Sequence, residues 1–215
     1  MVDQAYTAEQ ALTYEEDTEH TLPGEEAEAW IAIIHAMGLP TGARIVDYGA
    51  GTGTLMAALK GAGYPVLGLE PSNHMVAEGL RLHPELGVND FIVGTDMSPD
   101  PQGGGGFDLI VSRQVLCHLN RPDLVFKQLH QWLRPNGWVL LVDGFWTGFS
   151  ADQKQVFPLA GIKDATLAAE ALAAAGFDIA RAEAFHELNQ ARAAVCPGGV
   201  SRYVIVGRKS QSALG

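Results

Sequence analysis

An apolar run that ends in an acid and continues into alternating glycines constrains the fold of this chain more than any other segment. The run is Ile45-Val46-Asp47-Tyr48, and the glycines are residues 49, 51 and 53. Glycine has no Cβ, so its backbone adopts left-handed angles and approaches a ligand closely. The amides of such a turn lead to a helix N-terminus, where unpaired donors attract acceptor or anionic groups. The segment therefore predicts a strand, a turn and a helix that hold a small polar cofactor.

Strands and helices alternate along the rest of the chain. Strands are predicted at 43–48, 65–70, about 90–93, 107–112, 138–142, from 177, and at 201–206. Helices are predicted from 23 to 37, from 54 to 61, from 71 to 80, from 122 to the Pro135-Asn136-Gly137 turn, and from 164 to 175. This alternation predicts an α/β fold, in which helices cover both faces of a parallel sheet. The length of 215 residues favours a single domain over 1–215.

Polar side chains stand at or just beyond the ends of the first five predicted strands. They are Asp47, Glu70, Asp96, Ser112 and Asp143. Ligands of open α/β sheets bind outside the carboxyl ends of the strands. We therefore expect these five side chains to surround one crevice.

Two less regular segments flank the predicted sheet. Residues 1–22 combine acids, threonines and two tyrosines with weak helical spacing, and we interpret them as an N-terminal cap segment. Residues 144–163 carry three phenylalanines and Trp146. Aromatic side chains bury large apolar areas, so this second segment is a possible lid or substrate wall. Its aromatic residues could equally form the core of such a lid.

The composition excludes several classes of protein. Lysine and arginine number 14 against 25 acids, which gives a net charge of −11 and disfavours binding to nucleic acid. No apolar run is long enough to cross a bilayer and no targeting signal is visible, so we expect a cytoplasmic protein without a membrane partner. Cys117 and Cys196 form no CxxC pair, and no metal site is expected.

The spacing of the glycines distinguishes two kinds of cofactor site. A dinucleotide fold favours G-x-G-x-x-G, whereas this chain has Gly49-Ala50-Gly51-Thr52-Gly53 after Asp47. Together with Glu70 at the second strand end and the 107–119 stretch, this pattern resembles the class I S-adenosylmethionine-dependent methyltransferases, in particular their small-molecule group. The resemblance covers about residues 43–143. It implies a Rossmann-like, doubly wound sheet of seven strands, mostly parallel, with the last strand antiparallel.

The resemblance also implies a set of residues that bind S-adenosylmethionine. They are Asp47, Gly49, Ala50, Gly51, Gly53, Glu70, Pro71, Asp96, Met97, Ser112, Arg113 and Tyr14. Asp47 and the glycine backbone would hold the methionine part of the cofactor, and Glu70 would accept hydrogen bonds from the ribose hydroxyls. Asp96 would take the adenine amino group with Met97 beside the ring. Ser112 and Arg113 would lie under the reactive sulfonium.

His118 is the candidate catalytic base, because it follows the fourth strand closely and imidazole titrates near neutral pH. The alternative is that it serves packing or a backbone hydrogen bond. Trp146, His20 and His186 are the candidate substrate residues. Four other histidines are predicted to lie on solvated helix surfaces: His35, His74, His83 and His130.

The predicted function is transfer of a methyl group to an oxygen or nitrogen of a small organic molecule. The chain lacks an Asn-Pro-Pro-Tyr-type motif after the fourth strand, which methyltransferases of nucleic acids and protein amino groups often carry. Two alternatives stay open. The chain could be a non-catalytic cofactor-binding or regulatory subunit, or it could use the fold for another reaction.

Overall fold

A computed structural model describes residues 6–40, 42–94 and 106–210. Two predicted cofactor residues, Asp96 and Met97, lie outside these ranges. The strands within them are β1 (Ile45–Tyr48), β2 (Val66–Glu70), β3 (Phe91–Val93), β4 (Phe107–Arg113), β5 (Leu133–Gly144), β6 (Phe177–Ala184) and β7 (Arg202–Lys209). The helices are α1 (Ala8–Leu12), α2 (Gly24–Ala36), α3 (Thr54–Gly61), α4 (Asn73–Leu82), α5 (Pro122–Trp132), α6 (Ala151–Val156), α7 (Thr166–Ala174) and α8 (His186–Ala193).

The strands of the described ranges form one seven-stranded sheet in the order β3-β2-β1-β4-β5-β7-β6. The pairs from β3 through β5 are parallel. The last strand, β7, is antiparallel to both of its neighbours. The predicted fold class and the direction of the last strand are therefore confirmed. The order reverses at β1 and β4, so the crevice at their carboxyl ends is the expected ligand site.

Both faces of the sheet are covered by helices. Fully buried Trp30 of α2 and Met56 of α3 belong to the hydrophobic core of one face. Phe126 and Trp132 of α5 belong to the core of the other face, together with apolar residues of α7. Strands buried on both faces explain why β1 and β4 are near-continuous apolar runs. No helix of the described ranges is long and apolar enough to cross a membrane.

The structure differs from the predicted elements in three places. Strand β5 begins at Leu133, not at 138, and continues past Asn136, whose φ is +65°. The predicted turn at 135–137 is thus an irregularity within the strand, and the pairing with β4 shifts register near Phe107. The supposed irregular segment 144–163 contains α6. Helix α8 follows β6 and was not predicted, because its low hydrophobicity gives little helical periodicity.

Candidate functional site

The glycine turn connects β1 to α3 at the reversal point of the sheet. Gly49 and Gly51 have φ angles of +75° and +60°, which only glycine adopts without strain. A Cβ at Gly49 would collide with Val115, whereas a Cβ at Gly51 would stand 3.4 Å from its nearest neighbour, Met75. Gly49 is therefore required by packing as well as by φ. Gly51 has room on its outer side, which faces the cleft.

Glu70 ties the end of β2 to this turn. Its Oε2 accepts a hydrogen bond from the Gly51 amide at 2.9 Å, and its Oε1 accepts one from the Ser72 amide at 2.9 Å. Burial raises the pKa of Glu70, and these two hydrogen bonds oppose the rise. Each carboxylate oxygen keeps a second lone pair for a ligand hydroxyl. Glu70 thus shapes the turn and can also receive two hydrogen bonds from the cleft.

Asp47 lies beneath the turn and is 2% exposed. Its Oδ1 is buried and has no hydrogen-bond partner among the described residues. Burial raises the pKa of Asp47 to about 7, while Arg113 opposes the rise and Glu70 adds to it. An unpartnered buried carboxylate oxygen is costly unless a ligand donates to it. A cationic donor, such as the amino group of a methionine moiety, fits this position.

The cleft above the turn brings together six of the ten predicted cofactor residues that the structure describes. It has a volume of about 60 Å³. Its lining consists of Tyr6, Tyr14, Gly49, Gly51, Glu70, Pro71, Met75, Arg113, Gln114, Val115 and His118. Sequence reasoning missed Tyr6, Met75, Gln114 and Val115. Met75 lies one helical turn after Pro71, and Gln114 directly follows Arg113. Their closeness in sequence to predicted cofactor residues was the signal that could have identified them.

Four other predicted cofactor residues do not line this cleft. Asp47 is buried behind it. Ser112 donates its hydroxyl to the backbone carbonyl of Tyr48 at 2.8 Å and so links β4 to β1. Ala50 packs against one hydrophobic core. A Cβ at Gly53 would meet Leu86 and Phe91 at 2.7 and 2.8 Å, so this glycine serves the packing of the turn.

The N-terminal segment is fastened over the cleft at its α1 end. The Tyr6 carbonyl accepts a hydrogen bond from the Ser72 hydroxyl at 3.1 Å. Oε1 of Glu15 accepts from the hydroxyls of Thr52 and Thr54 and contacts Nε2 of His83 at 2.9 Å. The prediction that His83 is solvated is therefore wrong, because the cap covers it.

Glu15 and His83 shift each other's pKa. Burial opposes ionisation of Glu15, but hydrogen bonds from His83, Thr52 and Thr54 outweigh it and lower its pKa to about 2. The hydrogen bond to Glu15 raises the pKa of His83, and burial of the imidazole opposes this rise. The two side chains form an ion pair whenever both are charged.

Three arginines fasten the other end of the segment. Arg202 of β7 donates to Oε2 of Glu19 at 2.5 Å. Arg192 of α8 donates to the Thr18 carbonyl at 2.9 Å and to Oε2 of Glu26, in the following helix α2, at 2.5 Å. Arg113 of β4 donates to the backbone carbonyls of residues 20 and 21 at 3.0 and 2.6 Å. The predicted cofactor residue Arg113 therefore serves the cap as well as the cleft.

Two aromatic rings of the cap, those of Tyr6 and Tyr14, line the cleft. Tyr14 and His20 are stacked with ring centroids 4.0 Å apart and planes inclined by 6°. Tyr6 meets Tyr14 edge-on at 5.2 Å. Burial is the main cause of the raised pKa of Tyr14, so its phenol stays protonated. Tyr14 therefore lines the cleft, and its contact with a cofactor stays a prediction.

A second cavity adjoins the cleft on the side of residues 144–163. Its volume is about 250 Å³. It is lined by Tyr6, Tyr14, His20, Gln114, Cys117, His118, Trp146, Thr147 and Phe149. Tyr6, Tyr14, Gln114 and His118 line both cavities. Of the candidate substrate residues, His20 and Trp146 lie here, whereas His186 is exposed at the start of α8 and lines neither cavity.

His118 and Gln114 stand where the two cavities meet. Desolvation lowers the pKa of His118 and the charge of Asp143 opposes this, so its ring favours the neutral form. Gln114 has a φ of +61°, which is unusual for a residue with a side chain. Its Nε2 donates to the Glu19 carbonyl at 2.8 Å, and its buried Oε1 has no partner among the described residues. That oxygen is available to accept a hydrogen bond from a ligand.

Comparisons with known proteins agree with this architecture. An uncharacterised methyltransferase of Oceanobacillus iheyensis is 30% identical over 115 residues, which are 53% of this chain and 52% of that protein. The demethylmenaquinone methyltransferase of Renibacterium salmoninarum is 29% identical over 111 residues, which are 52% of this chain and 45% of that protein. The chain thus matches about half the length of these relatives.

A solved structure extends the similarity of fold to nearly the whole chain. Phosphoethanolamine N-methyltransferase 2 of Haemonchus contortus, in complex with S-adenosyl-L-methionine, superposes with a TM-score of 0.67. The match is 20% identical and covers 97% of this chain and 59% of that one.

The family comparison covers six of the seven described strands, β1 to β6, and the end of the cap. The family described as "Methyltransferase domain" matches residues 20–192, which include the glycine turn, Glu70 and both cavities apart from Tyr6 and Tyr14. The chain therefore belongs to this methyltransferase domain family, within the class I fold that uses S-adenosylmethionine.

Proposed function

We propose that this protein transfers a methyl group from S-adenosylmethionine to an oxygen or nitrogen of a small organic molecule. The observation that carries this proposal is the pair of adjoining cavities that share Tyr6, Tyr14, Gln114 and His118. Methyl transfer is an in-line displacement, so donor and acceptor must meet in one enclosed space. The shared lining provides that meeting place, with the cofactor on one side and the acceptor on the other.

The residues of the cleft fit the cofactor in chemical terms. Behind the cleft, Oδ1 of Asp47 has no partner among the described residues and suits the amino group of the methionine part. Glu70 suits the ribose hydroxyls, because its two oxygens accept one hydrogen bond each from the turn and have capacity for more. Pro71 and Met75 add apolar surface beside it. When bound, S-adenosylmethionine supplies an electrophilic methyl group on sulfur.

The second cavity indicates the kind of acceptor. Its lining, as far as the described residues form it, contains four aromatic side chains of Tyr, Trp and Phe and no aspartate, glutamate, lysine or arginine. Its volume of about 250 Å³ is close to the lower end of the range found for small-molecule sites. The unpartnered Oε1 of Gln114 requires a donor, which a hydroxyl or amino group provides. These features favour an uncharged small molecule with an O–H or N–H group.

The relatives are compatible with a small acceptor. One is named a demethylmenaquinone methyltransferase and another acts, by its name, on phosphoethanolamine. These acceptors differ in charge and shape. We therefore base the proposed class of acceptor on the lining of this chain's own cavity.

The direct test is incubation of the purified protein with methyl-labelled S-adenosylmethionine and a metabolite extract below about 1 kDa. We expect label in one or a few small molecules, which chromatography and mass spectrometry would identify. The control is the Glu70→Ala variant, in which cofactor binding is weakened. Tight binding of S-adenosylhomocysteine without any label transfer would favour the alternative of a non-catalytic subunit.

A further inference from the structure

His20 is held in one orientation at the wall of the second cavity. Its Nδ1 lies 3.1 Å from the backbone carbonyl oxygen of Tyr14, and its ring is stacked on the Tyr14 ring. Its own carbonyl accepts a hydrogen bond from Arg113 at 3.0 Å. Ring and backbone are therefore both fixed, on a segment that is itself fastened to the sheet.

The contact with Tyr14 determines which nitrogen of the neutral imidazole carries the proton. A backbone carbonyl oxygen can only accept a hydrogen bond, so Nδ1 of His20 must be the donor. The neutral ring then has its lone pair on Nε2. A fixed Nδ1–H that leaves Nε2 as the acceptor is the arrangement that a general base needs.

The surroundings of His20 favour its neutral form. Burial has the largest effect and lowers the pKa of the ring. Arg113 of β4 and Arg202 of β7 act in the same direction, because they repel an imidazolium. The Tyr14 carbonyl and Asp17, on the same segment as His20, oppose this shift without reversing it. The ring is consequently in its neutral form, which can accept a proton, at neutral pH.

We infer that His20 is the general base of the reaction and receives the acceptor's proton on Nε2. This inference rests on the proposed function. The acceptor oxygen or nitrogen forms a bond to the methyl carbon, while the carbon–sulfur bond breaks and leaves its electron pair on sulfur. The acceptor's proton passes to Nε2 of His20, whose Nδ1–H remains bonded to the Tyr14 carbonyl. The imidazolium afterwards releases this proton to solvent.

His118 is the other imidazole in the cavity, and it lacks this preparation. The ring of His118 makes no hydrogen bond to another described residue. Neither of its nitrogens is therefore fixed as the one that carries the proton. His118 also lines the cofactor cleft, whereas His20 lines only the second cavity. The geometry assigns the base to His20 and leaves His118 as a wall of both cavities.

The first measurement observes the imidazoles directly. In the protein labelled with ¹⁵N-histidine and saturated with S-adenosylhomocysteine, long-range ¹H–¹⁵N spectra report the tautomer of each ring. We expect His20 to show a protonated Nδ1 and an unprotonated Nε2 at pH 7.5, with the assignment made from the His20→Gln variant. A protonated Nε2 at that pH would overturn the inference.

The second measurement compares rates of label transfer from methyl-labelled S-adenosylmethionine to the metabolite extract. We expect His20→Gln to lower the rate about 10²–10⁴-fold. The variant should also lose the rise of the rate with pH that accompanies deprotonation of His20. Its affinity for S-adenosylhomocysteine should change less than 3-fold, on the order of experimental error. His74→Gln, on the exposed surface of α4, is the matched control.

The two variants His20→Gln and His118→Gln separate the possible outcomes. If the wild type transfers label and His20→Gln does so at the same rate, the base role is wrong and the proposed function stands. If His118→Gln alone abolishes the pH dependence, His118 is the base. If the wild type transfers no label to any extract, the proposed function fails and the base role with it.

Discussion

The indole N–H of Trp146 donates a hydrogen bond to Oδ1 of Asp143 at 2.6 Å. Asp143 is fully buried, and its Oδ2 accepts a second hydrogen bond from the Cys117 amide at 2.9 Å. One carboxylate at the end of β5 thus positions two different walls of the second cavity. Arg202 adds to this, because its guanidinium lies 4.5 Å from the centre of the Trp146 ring.

Asp143→Asn should lower the free energy of unfolding by about 1–3 kcal/mol, because the amide cannot accept on both sides and leaves one buried donor unpaired. Chemical denaturation with urea measures this change. Asp152→Asn, on exposed α6, is the matched control and should have an effect below about 0.5 kcal/mol. Equal stability of Asp143→Asn and the wild type would contradict the positioning role.

Glu70→Ala should weaken the binding of S-adenosylhomocysteine by about 1–3 kcal/mol, because two hydrogen bonds to a buried carboxylate are lost. Titration calorimetry measures this affinity. Glu70 also holds the turn, so thermal unfolding should be followed in parallel. Glu170→Ala, on the exposed face of α7, provides the control. Unchanged affinity in Glu70→Ala would refute the ribose role.

Asp47 should make the ligand-free protein less stable as the pH rises. Its pKa is about 7 in the folded protein and about 4 in the unfolded chain, so between these values the folded state binds more protons. Its contribution to stability is therefore fully present below pH 4 and is lost as the pH rises through 7. Denaturation of wild type and Asp47→Asn between pH 5 and 8 tests this. The difference between the two proteins should change by more than about 1 kcal/mol across the range.

The ion pair of Glu15 and His83 should hold the cap most firmly in mildly acidic solution. The raised pKa of His83 means that its contribution is fully present below about pH 6.5 and is lost as the pH rises through the folded value. The lowered pKa of Glu15 means that its contribution is fully present above about pH 4.5 and is lost as the pH falls toward 2.

Hydrogen exchange of the α1 amides between pH 5 and 8, corrected for the intrinsic pH dependence of exchange, measures this effect. Protection should fall as His83 loses its proton, by about 3- to 10-fold for a partly exposed pair worth 0.5–1.5 kcal/mol. His83→Gln should show the weaker protection at every pH. A pH-independent protection of α1 in the wild type would show that the ion pair does not hold the cap.

Much of this fold could be predicted because it depends on patterns of neighbouring residues in the sequence. The apolar runs and helical spacings predicted the order of strands and helices from Ile45 to Val142, since a strand buried on both faces has to be apolar throughout. The family resemblance supplied the antiparallel direction of β7, which the structure confirms. The start of β5 at Leu133 was missed, because Leu133 pairs with Phe107 of β4 before the Pro135-Asn136-Gly137 irregularity, and the pairing resumes only at Trp138.

The sequence by itself predicted the glycine turn and the strand-end acid that line the cleft, Gly49, Gly51 and Glu70, because a turn and a strand end are determined by local sequence. Tertiary structure determined which residues line the second cavity. His20 and Trp146 are distant in sequence and face one cavity only because Glu19, Glu26 and Asp143 bind groups on other elements. The contacts of Glu19 with Arg202 and of Glu26 with Arg192 join residues more than 160 positions apart and leave no periodic trace in the sequence. The tautomer of His20 was likewise decided by the fold, through a single carbonyl of the cap.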